Sequence, residues 1–137
     1  MSANTAPAPA AEPKWMKWAG YVLSGLVIAF FLMDAAMKLM VLDVVTSTTE
    51  QLGWAPEKAF PLGVLLLIIT VLYAVPQTSV LGAVLLTGYL GGAVATHVRI
   101  DSPLFSHVLF GVYLGVILWG GLWLREPRLR ALFPLKR

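Results

Sequence analysis

The chain has 137 residues, of which 58% are hydrophobic and only 12% charged, with a formal net charge of +3. Soluble domains carry roughly 25% charged residues, so this sequence lacks the charge to clothe a globule, and its mean hydropathy of +0.80 argues the same way. With no cysteine, disulfide staples, thiolate metal sites, iron–sulfur ligation and dithiol relays are excluded.

Residues 1–13 form a Pro/Ala tract without hydrophobic periodicity and read as a flexible tail. Crossing about 30 Å of hydrocarbon takes about 20 helical residues, and four apolar runs of about that order follow. The first, 18–40, is broken by Asp34 and Lys38; its length, and the lack of a small-x-small site after it, make it an anchor rather than a cleaved signal. The second, 60–75, lies between Pro61 and Pro76 and is short, so it recruits flanking residues or thins the bilayer. The third covers 79–98 and the fourth 104–124. These runs are continuous rather than alternating, which excludes β-barrel strands. The expected fold is an all-α integral membrane protein, a four-transmembrane-helix bundle over 14–134, with a basic C-terminal end at 135–137.

An even number of spans puts both chain ends on one side of the membrane. That side holds Lys14, Lys17, Arg125, Arg128, Arg130, Lys136 and Arg137, against Lys38, Lys58 and Arg99 opposite. The excess of basic residues makes both termini cytoplasmic. A basic C-terminus directly after a span selects anionic lipid headgroups as its partner over nucleic acid. The segment 43–57 then faces outward. Thr46 or Ser47 could cap a short helix, Ser47 having Glu50 three residues on, and Gly53 could end it. Val44, Val45, Thr48 and Leu52 would be its apolar side and Trp54 its interfacial anchor, giving a short outer helix over the mouth of the bundle.

Helices in a bilayer associate by close packing at small residues. Gly88 and Gly92, with Gly91 beside them, and Gly111 and Gly115 have the GxxxG spacing. They are expected to pack the third helix on the fourth within one chain, with a homo-oligomer through either motif as the alternative. Asp34 and Lys38, four apart with the acid first, either neutralise each other or also line a ligand pocket. Topology sends His97, Arg99, Asp101 and His107 to the same outer level. Tyr89, Ala93 and His97 share one helix face, and Tyr73 and Tyr113 offer further hydroxyls. Met33, Met37 and Met40 form a soft stripe, either packing or a pliable wall for a planar ligand. The candidate ligand-binding set is Asp34, Lys38, Tyr89, His97, Arg99 and His107. Two histidines do not make a metal site, and none is expected; an imidazole here suits proton transfer or a hydrogen bond to a quinone oxygen. No phosphate loop, metalloprotease helix or nucleophile elbow is present, and no catalytic residue is assigned.

The run LGAVLLTGYLGGAVATH at 81–97, the Gln51-Leu52-Gly53 loop with Pro56, the LYAVP end of the second helix at 72–76, Ser106-His107 and the LWGGLWLR close at 118–125 resemble the DoxX-like family of small four-helix membrane proteins. The resemblance covers about residues 17 to 134. It implies a four-helix bundle in the bacterial cytoplasmic (inner) membrane. Among the family's named members is a membrane subunit of an enzyme passing electrons from thiosulfate to quinone, and others are linked to quinone or oxidative stress. The four-helix vitamin K epoxide reductases are also similar, but their chemistry uses cysteine pairs, and this chain has none.

Two functions fit. One is a redox-associated protein holding a quinone or similar isoprenoid-tailed ligand near the outer face, with a redox partner subunit supplying electrons. The other is a non-catalytic accessory or assembly subunit, or a small-solute transporter, in which the polar residues close the bundle. Fold alone does not choose between them.

Overall fold

The computed structural model describes residues 13–136. The tail expected at 1–13 therefore lies, Pro13 apart, outside the described residues, as does Arg137. The chain runs through α1 (Lys14–Leu39), α2 (Asp43–Gln51), α3 (Ala59–Ala74), α4 (Ser79–Arg99), α5 (Phe110–Arg125) and α6 (Pro127–Leu132). Four helical segments are long and apolar enough to cross a membrane: Lys14–Leu39, Pro56–Ala74, Pro76–Arg99 and Leu104–Arg125. The short second run does recruit its flank, because a 3₁₀ turn at Pro56–Lys58 leads into α3 and extends it to 19 residues. The fourth begins with a widened π-type turn at Leu104–Val108, in which Val108 N–H bonds Pro103 O at 3.1 Å and Leu109 N–H bonds Leu104 O at 2.9 Å.

Each long helix buries one stripe. On α1 this is Gly20, Ser24, Val27, Phe31 and Ala35, spaced three and four apart. Its other faces stay apolar and exposed, with Val22 at 57% and Leu26 at 62%, which suits hydrocarbon rather than water. Phe31, Leu66, Tyr73, Leu86, Leu118 and Leu122 fill the centre.

In chain order the long helices form two hairpins, α1 with α3 and α4 with α5, packed on each other. In the first, α1 and α3 meet at Gly63, where a Cβ would lie 2.8 Å from Lys38 Cβ and 3.3 Å from Ala35 O. In the second, α4 and α5 meet at Gly111, where a Cβ would lie 3.0 Å from Val94 Cγ2. The hairpins join at the end that carries the chain termini. There Gly20 admits Gly121 O, at 2.7 Å from a would-be Cβ, and Gly82 sits directly on the Tyr73 backbone. The tight packing expected of Gly88, Gly91 and Gly92 is not made: a Cβ at any of them would meet nothing within 4 Å. Gly115 reaches only Leu90 Cδ1 at 4.0 Å. The physical reason is helix phase. Gly82 and Leu86 turn inward toward α3 and the core, leaving the GxxxG glycines on exposed faces of α4.

A polar knot fixes the terminal end. Arg125 Nε donates to Ser24 Oγ at 3.1 Å, Ser24 lies 3.0 Å from the Tyr73 hydroxyl, and that hydroxyl donates to Leu118 O at 2.6 Å. Arg125 Nη2 reaches Ser79 Oγ at 3.5 Å, and the guanidinium lies over the Tyr21 and Tyr73 rings at 5.8 and 5.6 Å. One side chain thus touches α1, α3 and α4.

At the opposite end α2 begins earlier than the capping pattern suggested. Its N-terminal residue is Asp43, and Ser47 is internal, donating back to Val44 O at 3.1 Å. Thr48 and Thr49 bond back in the same way, at 2.7 Å each, so these hydroxyls serve carbonyls inside the helix rather than free amides at its start. The face turned inward is Leu42, Val45, Thr49 and Leu52, while Val44 stays 57% exposed. Gly53 ends the helix as expected: its φ is +84°, its N–H bonds Glu50 O at 2.9 Å, and Trp54 N–H bonds Thr49 O at 3.1 Å.

Candidate functional site

Toward the α2 end the helices enclose a cavity of about 580 Å³. Its walls follow from the stripes already described. Phe30, Phe31, Asp34 and Lys38 come from α1, spaced so that each lies within a turn of the next. Tyr89, Ala93 and His97, each one turn from the last, face them from α4. His107, Phe110 and Leu114 close one side, and Thr48, Thr49, Leu52 and Trp54 lie over the cavity from α2 and the loop after it. Phe30 and Phe110 meet edge-on at 5.5 Å between ring centres and join the hairpins across it.

Within these walls Lys38 Nζ donates to Asp34 Oδ1 at 2.5 Å, with 18% of the lysine and 31% of the aspartate side chain exposed. The rings of His97 and His107 are 5.7 Å apart, edge to face. Each is steadied through Nδ1 by a nearby serine: His97 by Ser102 at 2.9 Å and His107 by Ser106 at 2.7 Å. Among the described residues neither Nε2 nor the Tyr89 hydroxyl has a hydrogen-bond partner. The site therefore presents a carboxylate–ammonium pair, a phenol and two imidazoles at one end of a mostly apolar chamber. Such a chamber suits a ligand with a compact polar head and an apolar body.

Five members of the candidate set, Asp34, Lys38, Tyr89, His97 and His107, thus share one cavity. Arg99 does not line it. Its Nη2 donates to Leu52 O at 2.7 Å, at the C-terminus of α2, where the helix dipole favours a cation. Gly53 makes room for this contact, since a Cβ there would lie 2.5 Å from the same Nη2. The methionine stripe does not form a wall either: Met33 and Met40 are 54% and 69% exposed on outer faces. Tyr73 lies in the terminal knot, and the Tyr113 hydroxyl donates to Phe105 O at 3.0 Å. Sequence reasoning missed Phe30, Phe31 and Phe110. The first two precede Asp34 by four and three residues, a spacing that already puts them on its helix face. Thr48 and Thr49 were not foreseen as site residues, because their reach depends on how α2 folds back.

Fold and site together define a small multi-pass membrane protein, a bundle of apolar helices in contact with lipid and enclosing a mostly apolar chamber with polar groups at one end. The family model of the DoxX-like family matches residues 22–121, and the chain belongs to that family. No curated protein and no solved structure matches the chain.

Proposed function

We propose that this protein holds a quinone-like ligand in the chamber between its two hairpins, with the ligand's ring against Phe30, Phe31 and Phe110 and its oxygens bonded by the polar end. The observation that carries this reading is the convergence of Asp34, Lys38, Tyr89, His97 and His107 on one apolar-walled cavity. Tyr89 and the histidine Nε2 atoms, which have no protein partner among the described residues, supply hydrogen bonds to ring oxygens. Imidazole nitrogens can both donate and accept a proton, and His97 and His107 offer that chemistry beside the ligand. A quinone brings its own electrochemistry, so the protein's task is to position it, and a redox partner subunit supplies electrons. In the topology set by the basic residues both termini are cytoplasmic, so α2 and the chamber lie at the outer face of a bacterial cytoplasmic membrane.

A second reading draws on the local pairing seen in the site. Asp34 bonds Lys38, and each histidine bonds a serine within five residues, so the cluster satisfies much of itself. Such a cluster could serve as a structural closure in an accessory or assembly subunit, or line the path of a small-solute transporter.

Thermal unfolding of the detergent-solubilised protein with a tailless benzoquinone separates the two. The expected result is a concentration-dependent rise in melting temperature for the wild type, lost in a folded His97→Ala variant. No rise over a wide concentration range would overturn quinone binding and leave the structural reading.

A further inference from the structure

The chain has two histidines, both line the chamber, and both are held in the same way. His97 lies in the last turn of α4, and His107 in the widened turn that opens the fourth span. Ser102 Oγ meets His97 Nδ1 at 2.9 Å, and Ser106 Oγ meets His107 Nδ1 at 2.7 Å. The backbone sets up both contacts. The chain turns at Asp101, whose φ is +54°, and Ser102 N–H then bonds His97 O at 3.0 Å. In the widened turn His107 N–H bonds Pro103 O at 3.1 Å. With each Nδ1 taken by a serine, Nε2 is the ring nitrogen left for a ligand.

That the partner is a hydroxyl decides what Nε2 can do. A backbone carbonyl or a carboxylate only accepts, which keeps the proton on Nδ1 and makes Nε2 a permanent acceptor. A serine hydroxyl donates or accepts. When it donates, Nδ1 is bare and Nε2 carries the proton; when it accepts, the proton sits on Nδ1 and Nε2 is bare. Neither state forfeits the serine contact. We propose that Ser102 and Ser106 are positioning residues that orient the two imidazoles while leaving their tautomers open, so that the chamber takes its ligand in both redox forms. The carbonyl oxygens of a quinone accept from Nε2–H, and the hydroxyls of a quinol donate to bare Nε2. This inference rests on the chamber reading and deepens it. A fixed pair of donors would favour the quinone, and a fixed pair of acceptors the quinol. The neighbouring groups impose neither preference: Asp34 and Lys38 pair with each other, and the Tyr89 hydroxyl, like that of serine, donates or accepts.

The small number of histidines makes the test direct, because isotopic labelling of histidine ring nitrogens leaves only two rings to observe by NMR. Spectra of the detergent-solubilised protein are taken at about pH 8.5, well above the ordinary imidazole value of about 6.5, so that both rings are neutral. The probes are duroquinone, a tailless and fully methylated benzoquinone, and its quinol, made with dithionite under nitrogen. The expected result is the Nε2-protonated tautomer in the quinone complex and the Nδ1-protonated tautomer in the quinol complex. A swap in either ring supports the role of the serine that holds it. An unchanged tautomer in both rings, with melting temperature still raised by the probes, overturns this inference and leaves the chamber reading intact. No rise in melting temperature with either probe overturns the chamber reading, and this inference with it. Ser102 is half-buried and Ser106 exposed, so alanine at either position leaves the core untouched. Ser102→Ala and Ser106→Ala should each bind both probes about threefold to tenfold more weakly, and Ser102→Thr and Ser106→Thr, which keep the hydroxyl, should bind as the wild type does. Wild-type affinity in both alanine variants would overturn the positioning role. Should the alanine variants fail to fold, the tautomers of the wild type decide.

Discussion

At the scale of the residue, Asp34 and Lys38 show how a single ion pair can be necessary for stability and yet replaceable. Neither side chain is more than a third exposed, so removing Lys38 alone strands a carboxylate among Phe31, Tyr89 and the α2 threonines. Lys38→Met is expected to destabilise the protein by about 1–3 kcal/mol, read as a lower melting temperature in detergent. The double variant Asp34→Leu/Lys38→Met should recover most of that loss, because a buried pair is often no better than its apolar substitute, yet still lose the quinone-dependent rise. Full stability with binding retained would assign the pair to packing alone. The pairing of these two residues was legible from their spacing, because an i,i+4 contact is fixed by helix geometry. The task of Arg99 was not. Its partner, Leu52 O, is distant in sequence and becomes available only because Gly53 turns the chain at positive φ.

At the scale of the element, glycines of a single helix do opposite things. Gly82 lies against the Tyr73 backbone, whereas Gly91 faces open space. Gly82→Ala should therefore cost about 3 kcal/mol or more, because neither helix backbone can yield. Gly91→Ala should stabilise α4 by roughly 0.5–1 kcal/mol through helix propensity alone. Thermal unfolding of the two variants side by side checks this, and similar effects would mean that α4 is rotated from the phase described. The existence of the four long helices was readable because hydropathy and length decide it, and the family resemblance was readable in the GYLGGAVATH run. The rotation of each helix was not, because with apolar residues all round a helix no moment points to the partner. Buried stripes came only with packing, and so the glycine contacts moved from Gly88 and Gly92 to Gly20, Gly63, Gly82 and Gly121. The short α6 and the widened turn at Leu104–Val108 were likewise invisible, since both depend on local bonding around Pro127 and Pro103.

At the scale of the whole molecule, the question is which way the bundle lies in its membrane. Lys14, Lys17, Arg125, Arg128, Arg130 and Lys136 all belong to the end where α1 starts and α5 stops. The lack of native cysteine makes single-cysteine labelling clean. Glu50→Cys and Asp101→Cys should react with an impermeant maleimide added to intact cells, and Arg130→Cys only after the membrane is opened. Labelling of Arg130→Cys from outside would reverse the topology and put the chamber on the cytoplasmic side.

The Arg125 knot has a mechanical consequence. It binds both hairpins where the chain begins and ends, while at the far end, among the described residues, no side-chain hydrogen bond joins one long helix to another. Arg125 thus ties α5 to α1, α3 and α4 at one end, while the aromatic contact of Phe30 with Phe110 links α1 and α5 further along. Among the described residues the side-chain hydrogen bonds between long helices are gathered toward the chain-terminal end, and the end beside Asp34 and His97 is held by packing.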